Sequence, residues 1–209
     1  YTQALEDQGV NWSAEEGSDL FQTTEVSVAL SWLQIIDNPR QDIPLLAVLR
    51  SPVVGFTGDR LAAIRTLAEG DFYTALQTAA AQGWPDCVEF LAQLAALRFG
   101  AGELTSHQLL WNLYRETDLL EIFSAMPGGE KRRENLLSFY QLARRFEGTG
   151  HKGLFGFLLH LDRVRKSGTL QTPPAAPKES AGVKLLSIHR SKGLEYPVVF
   201  LCGLGRQFN

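Results

Sequence analysis

Residues 183–204 read VKLLSIHRSKGLEYPVVFLCGL. The centre of this stretch, His189-Arg190-Ser191-Lys192-Gly193-Leu194-Glu195, is a string of polar groups set between two apolar runs. His189, Ser191 and Lys192 carry donors suited to phosphate oxygens. Gly193 permits close approach of backbone to a ligand, and Glu195 can accept from a sugar hydroxyl. In open α/β sheets, loops that follow strands are common ligand sites. The pattern therefore fits a phosphate- or nucleotide-binding loop. It fits about equally well an ordinary polar connection between two strands.

Other places invite chemistry less strongly. Gly55-Phe56-Thr57-Gly58 precedes an expected helix, and N–H groups at a helix start can hold a phosphate; a plain glycine-rich turn explains it as well. Gly148 to Gly153 matches G-x-G-x-x-G. It follows a basic amphipathic helix, where a dinucleotide fingerprint needs a strand, so it reads as a connection between helices. Cys87 and Cys202 sit in apolar company and are expected to be buried, reduced thiols. His107, His151, His160 and His189 are scattered, and no metal site is assigned. There is no Gly-Lys dipeptide, hence no phosphate-binding P-loop with its Lys and Ser/Thr. An acidic metal-binding pair and a nuclease carboxylate cluster are not found either, and no catalytic residue is assigned.

The elements that must position these residues are mostly helical. Apolar residues recur at helical spacing over 25–36, 42–49, 58–67, 72–81, 86–98, 106–117, 131–146 and 153–166, with a short helix over 1–9 ended by Gly9. Thr57 is placed to cap the helix that starts at Gly58. In 25–36 the stripe is Val26, Ala29, Leu30, Leu33 and Ile36; in 131–146 it is Leu136, Leu137, Tyr140, Leu142, Ala143 and Phe146. Residues 167–182, rich in Pro, Ala and Ser, read as an exposed linker. After the linker the grammar changes. Val183–Ile188 is strand-like, Pro197–Cys202 has the continuous apolar character of a strand buried on both faces, and Val10–Ala14 is a further short strand candidate.

The formal charge of −3 over 209 residues argues against a general DNA-coating protein. It conceals an asymmetry: residues 1–129 carry 6 basic and 17 acidic side chains, residues 130–209 carry 14 and 6. Such a split marks either a half that meets a polyanion or two solvated faces of unlike sign. The clusters Lys131-Arg132-Arg133, Arg144-Arg145 and Arg163, Arg165, Lys166 read more simply as solvated helix faces than as a DNA track. No apolar run reaches the roughly 18 residues that span a bilayer. The start, YTQALE, has neither a signal peptide's basic end nor an initiator Met. A cytoplasmic piece of a longer protein, without membrane contact, is expected.

Ser187 to Phe200 resembles, in order and without a gap, motif V of superfamily 1 DNA helicases of the UvrD-like kind. The wording of 36–52, of Pro127-Gly128-Gly129 with Arg133 and Asn135-Leu136, of Gly153-Leu154-Phe155 and of the tail 203–209 is similar to the AddA-like branch of that family. The resemblance implies a mainly α fragment. Residues 24–166 would form a helical 2B-type insertion, 167–182 a linker, and 1–22 with 183–209 parts of the RecA-like α/β domain 2A, contributing short parallel strands at both ends. It implies DNA contact for His189, Ser191 and Lys192, and nucleotide contact for Gly193 and Glu195. Gly55 and Thr57 would contact DNA at a place where relatives carry a one-residue-shorter Gly-Ile-Gly loop. The parent implied is an ATP- and Mg²⁺-dependent DNA helicase with an exonuclease elsewhere in its chain. It would act on the single strand and duplex end in double-strand-break repair and recombination, paired with an AddB-like subunit. The fragment itself is expected to bind no ATP or Mg²⁺ and to be inactive alone. The alternative reading is a helical protein-docking module without direct DNA contact.

Overall fold

The structure, a computed structural model, describes residues 2–10, 12–14, 20–148, 153–167, 182–186, 188 and 191–202. Contacts divide the chain into two compact units, residues 18–172 and residues 1–17 with 173–209.

The larger unit is helical. Its described elements are a 3₁₀ turn at Leu20–Gln22, then α2 (Thr24–Asp37), α3 (Asp42–Arg50), α4 (Gly58–Arg65), α5 (Phe72–Ala81), α6 (Pro85–Ala101), α7 (Ser106–Glu116), α8 (Leu119–Ser124), α9 (Gly129–Gly148) and α10 (Leu154–Ser167). The first helix of the chain, α1 (Thr2–Asp7), belongs to the smaller unit.

Helix α2 is the hub. Val26, Val28, Ala29, Trp32, Leu33, Ile35 and Ile36 are all buried, so apolar side chains cover most of its circumference. A helix apolar nearly all round must be covered from several sides, and α3, α6, α7, α9 and α10 pack against it. The expected stripe underestimates this, because Val28, Trp32 and Ile35 lie outside it. Trp32 is fully buried with its ring 5.6 Å from that of Phe90 on α6. On α9 the buried side is Leu136, Phe139, Leu142, Ala143 and Phe146. Phe139 extends the expected stripe, while Leu137 and Tyr140 are only half-buried.

Helix ends follow their local chemistry. The Thr57 hydroxyl accepts from the Arg60 N–H at 3.2 Å, as its position predicts, and Asp71 accepts from the Thr74 N–H at 2.8 Å to start α5. Thr105 and Gln108 close a reciprocal capping box on α7. Helix α8 is an element the apolar spacing does not isolate. It is set off from α7 by Asp118, which adopts a left-handed conformation (φ 50°) without being glycine. Gly129, at the start of α9, lies against the end of α8. A Cβ there would fall 1.8 Å from the Ser124 carbonyl oxygen, so the close approach of these two backbones requires a glycine.

One polar cluster is enclosed by the helices. Glu25 in the first turn of α2 is 2% exposed. Its Oε2 receives Arg132 Nη1 at 2.7 Å and its Oε1 receives Asn135 Nδ2 at 2.6 Å, both from α9.

In the smaller unit β1 (Trp12–Ala14) pairs in parallel with β2 (Val183–Leu185), with Trp12 opposite Val183 and Ala14 opposite Leu185. Gly9 (φ 65°) ends α1, and the Val10 N–H reaches back to the Leu5 carbonyl at 2.9 Å. Two strand expectations are corrected. The strand expected over Val183–Ile188 stops at Leu185, and Pro197–Cys202 forms no strand. Val198, Val199 and Phe200 are 69%, 71% and 83% exposed. A strand exists by pairing its backbone groups with neighbours, and among the described residues β1 and β2 pair only with each other. The expected burial of both thiols holds for Cys87 but not for Cys202, which is exposed in this same segment. The expected linker lies, from residue 168 to 181, outside the described residues, as do residues 149–152 of the glycine-rich connection.

Candidate functional site: a polar turn after a parallel strand

Residues 191–194 form a tight turn closed by the Leu194 N–H donating to the Ser191 carbonyl at 3.0 Å. Gly193 takes φ 84° at its third position, the place where a type II turn demands a residue tolerant of positive φ. The Ser191 hydroxyl donates to the Ile188 carbonyl at 2.9 Å, tying the turn to the segment that follows β2. Beyond the turn, Lys184 on β2 lies 5.9 Å from the centroid of the Tyr196 ring, a contact of cation–π type. Lys192, Gly193 and Glu195 are exposed, and neither Lys192 nor Glu195 forms an ion pair among the described residues. The structure thus places Ser191, Lys192 and Gly193 on one short turn, with Glu195 directly after it. His189 lies outside the described residues.

At the start of α4 the geometry accounts for Gly55, Phe56 and Thr57 of the Gly55–Gly58 loop. The Val54 and Gly55 N–H groups both donate to the Ser51 carbonyl, at 3.2 and 2.8 Å, and the Phe56 N–H donates to Leu49 at 2.9 Å. Arg50 Nη1 caps the Phe56 carbonyl at 3.1 Å, while the Phe56 ring is buried against that of Phe90 at 6.5 Å. Gly55 holds φ 79°. Its N–H is therefore already engaged inside the chain, and the Thr57 hydroxyl is the helix cap.

Next to this loop, Arg60 makes a bidentate pair with Asp86 at the start of α6, with Nε to Oδ2 at 2.8 Å and Nη2 to Oδ1 at 2.5 Å. Its guanidinium lies 3.9 Å from the centroid of the Trp84 ring. The Arg60 hydrogen bond holds the Asp86 carboxyl below its ordinary value of 3.8. Burial pushes the neighbouring Cys87 thiol up to about 11.

A second surface feature is not singled out by the sequence. Leu104, His107, Gln108, Trp111, Asn112 and Arg115, with Tyr140 from α9, line a groove of about 250 Å³. Trp111 and Tyr140 meet edge to face with centroids 5.4 Å apart. Glu147, near the end of α9, accepts from the Ser106 N–H and meets His107 Nδ1, fixing the two helices at that end. The spacing 107, 111, 115 on an amphipathic helix is the available signal. An apolar stripe hides it, because Trp111 sits on the stripe's edge and reads as core. Among the described residues, no group of three metal-ligating side chains could hold a metal ion, and no helix is long and apolar enough to cross a membrane.

Comparison with known proteins decides the family. Residues 2–207 match the model of the UvrD-like helicase C-terminal domain. The chain belongs to that family. This UvrD-like chain is 44% identical over its whole length to an ATP-dependent helicase/nuclease subunit of the AddA kind from Desulforamulus reducens, and 42% identical to that of Acetivibrio thermocellus. It is 43% identical over 92% of its length to that of Lactobacillus gasseri. It spans only 17%, 17% and 16% of those relatives' own lengths, so the likeness concerns a small part of each.

Proposed function

We propose that this UvrD-like chain is the helical 2B-type insertion, with flanking segments of the RecA-like 2A domain, of an AddA-like, ATP-dependent DNA helicase/nuclease. The parent takes ATP and Mg²⁺, moves along one strand from a duplex end in double-strand-break repair and recombination, and works beside an AddB-like subunit in the cytoplasm. Its exonuclease lies elsewhere in the longer chain. In this reading His189, Ser191 and Lys192 contact the single strand, and Gly193 and Glu195 face the nucleotide. At the start of α4 the contact is narrower than the sequence implies. With the Gly55 N–H engaged by Ser51, a phosphate would meet the Thr57 hydroxyl and the first-turn amides.

The observation that carries the reading is the Ser191–Leu194 turn. An exposed lysine and an exposed glutamate flank a glycine at φ 84°, within a 14-residue run that resembles motif V in a chain of this family. Exposed Lys192 supplies charge with no ion-pair partner among the described residues, the condition for a phosphate contact whose strength falls with salt. The 209-residue chain is mixed with a fluorescent duplex bearing a single-stranded tail and titrated with salt. Binding that weakens with salt, and weakens further in Lys192→Ala, is expected. Equal binding by wild type and Lys192→Ala removes the turn from the DNA contact. The second reading, a docking module without DNA contact, draws on Val88 and Phe99. These lie 11 residues apart on α6, 47% and 92% exposed. Absence of any binding at low salt would favour it.

A further inference from the structure

We infer that the groove between α7 and α9 is a binding site for single-stranded nucleic acid, with Trp111 as a base-stacking platform and Arg133 and Arg144 as phosphate contacts. Trp111 is 47% exposed although it lies on the same helix as the fully enclosed Leu109, Leu110 and Leu113. Its ring is held at a fixed attitude by Tyr140 at 5.4 Å and by Tyr114 at 6.4 Å. Tyr114 is itself locked, with its buried hydroxyl donating to the Leu136 carbonyl at 3.0 Å. His107 is in edge contact with Tyr140 at 5.9 Å. A half-open indole backed by fixed aromatic rings loses little freedom when a flat ligand stacks on it, and every base has a π-face.

The charge beside the platform has the matching sign. Arg133, Tyr140 and Arg144 are separated by 7 and 4 residues, so they fall on one flank of α9. At a rise of about 1.5 Å per residue the two arginines stand about 16 Å apart, with Tyr140 between them. Both are exposed, and neither has a hydrogen bond or ion pair among the described residues. Arg132, the residue before Arg133, is by contrast committed to buried Glu25; Arg133 and Arg144 stand astride the aromatic edge with no carboxylate partner among the described residues. At the groove's far side Arg115 is held by Glu116 and by Asn112 Oδ1 at 2.9 Å. Arg115, Gln108 and Asn112 all line the groove. A duplex hides its base faces, so the site selects unpaired strands. The choice of DNA over RNA rests on the proposed function; the stacking and charge chemistry does not distinguish them.

The test is fluorescence anisotropy of a labelled oligo-dT of about 12 nucleotides, within the span of one single-strand site, with the 209-residue chain across a salt titration. Oligo-rU and a blunt duplex of equal length serve as parallel probes. Trp111→Ala is expected to weaken oligo-dT binding about tenfold, the scale of one lost base stack, and Trp111→Phe to restore most of it. Arg133→Gln/Arg144→Gln is expected to flatten the slope of log affinity against log salt by about 1.4, at about 0.7 per contact on a single strand. Arg133 and Arg144 are exposed, so the far-UV melting curve of the double variant should not move. Trp111 is half-covered by Tyr114 and Tyr140, so Trp111→Ala is expected to lower the melting temperature somewhat. Its binding is read well below that temperature, with Trp111→Phe as the control. Unchanged affinity in Trp111→Ala with an unchanged slope in the double variant overturns the site. So does tighter binding of the blunt duplex, or no oligo-dT binding by wild type at low salt. Equal binding of oligo-rU removes the DNA assignment and leaves the site. Loss in Lys192→Ala without loss in Trp111→Ala rejects the groove and spares the motif turn, and the reverse pattern rejects the turn and spares the groove.

Discussion

Removing Arg132 should cost the helical unit more than removing the carboxylate it serves. Glu25 is 2% exposed and depends on two donors, Arg132 at 2.7 Å and Asn135 at 2.6 Å. Arg132→Ala leaves a buried carboxylate with Asn135 alone, and breaking a buried pair costs about 3–5 kcal/mol. The Arg132 side chain is 32% exposed, so solvent already screens part of the attraction, and the lower end, about 3 kcal/mol, applies. Glu25→Ala strands no charge to the same degree. Arg132 still reaches water, and its Nε keeps the Pro127 carbonyl at 3.1 Å. What remains is the unsatisfied Asn135 amide, about 1–2 kcal/mol. For a chain of this size about 3 kcal/mol corresponds to a fall in Tm of roughly 6–12 °C. Thermal unfolding followed by far-UV circular dichroism reads both variants, and Glu25→Leu/Arg132→Met tests whether an apolar pair recovers the loss. A larger fall for Glu25→Ala than for Arg132→Ala, or a fall under about 2 °C for Arg132→Ala, would refute the assignment of Glu25 as a carboxylate dependent on that arginine.

Three further outcomes follow from the geometry. Gly129→Ala should destabilise the helical unit by on the order of 3 kcal/mol, since its Cβ would fall 1.8 Å from the Ser124 oxygen, whereas Gly102→Ala, with nothing within 4 Å, should change urea stability little. Asp86 is held below 3.8 by Arg60; a group with a depressed native value lends stability that is present above 3.8 and is lost as pH falls through that lower value. The stability gap between wild type and Asp86→Asn should therefore narrow below about pH 4, measured by urea unfolding at stepped pH. Of the two thiols, exposed Cys202 should react with a disulfide reagent at neutral pH in the native chain. Cys87, buried and pushed up to about 11, should react only after denaturant is added; two fast native thiols would contradict its burial.

The parts of this fold legible in sequence are those set by neighbours along the chain. Helix α5 begins and ends where its apolar spacing places it, and Thr57 caps α4 as its position predicts. Asp118 is opaque to sequence because its left-handed turn uses neither Gly nor Pro, and α8 goes unseen with it. The Glu25–Arg132–Asn135 cluster joins residues more than 100 positions apart, a contact that no local pattern encodes. The apolar run at 197–202 carries strand character without strand structure, because pairing belongs to the partner backbone and not to the residues. In the candidate turn, Gly193 is legible from its type alone. The groove beside Trp111 is not, since only packing reveals which edge of an apolar stripe stays open.

The register of β1 with β2 has a kinetic consequence. Trp12 and Val183 are Cα partners, so this parallel ladder of three residues per strand closes a loop of about 170 residues. Chain entropy alone sets the length-dependent part of that closure at about 4–5 kcal/mol, more than so short a ladder returns. The pair is therefore expected to form late, after the intervening helices have condensed and shortened the path between its ends. At high concentration the same closure can be completed between molecules, the first strand of one copy meeting the second strand of another. Swapped dimers are then the characteristic misassembly of this architecture.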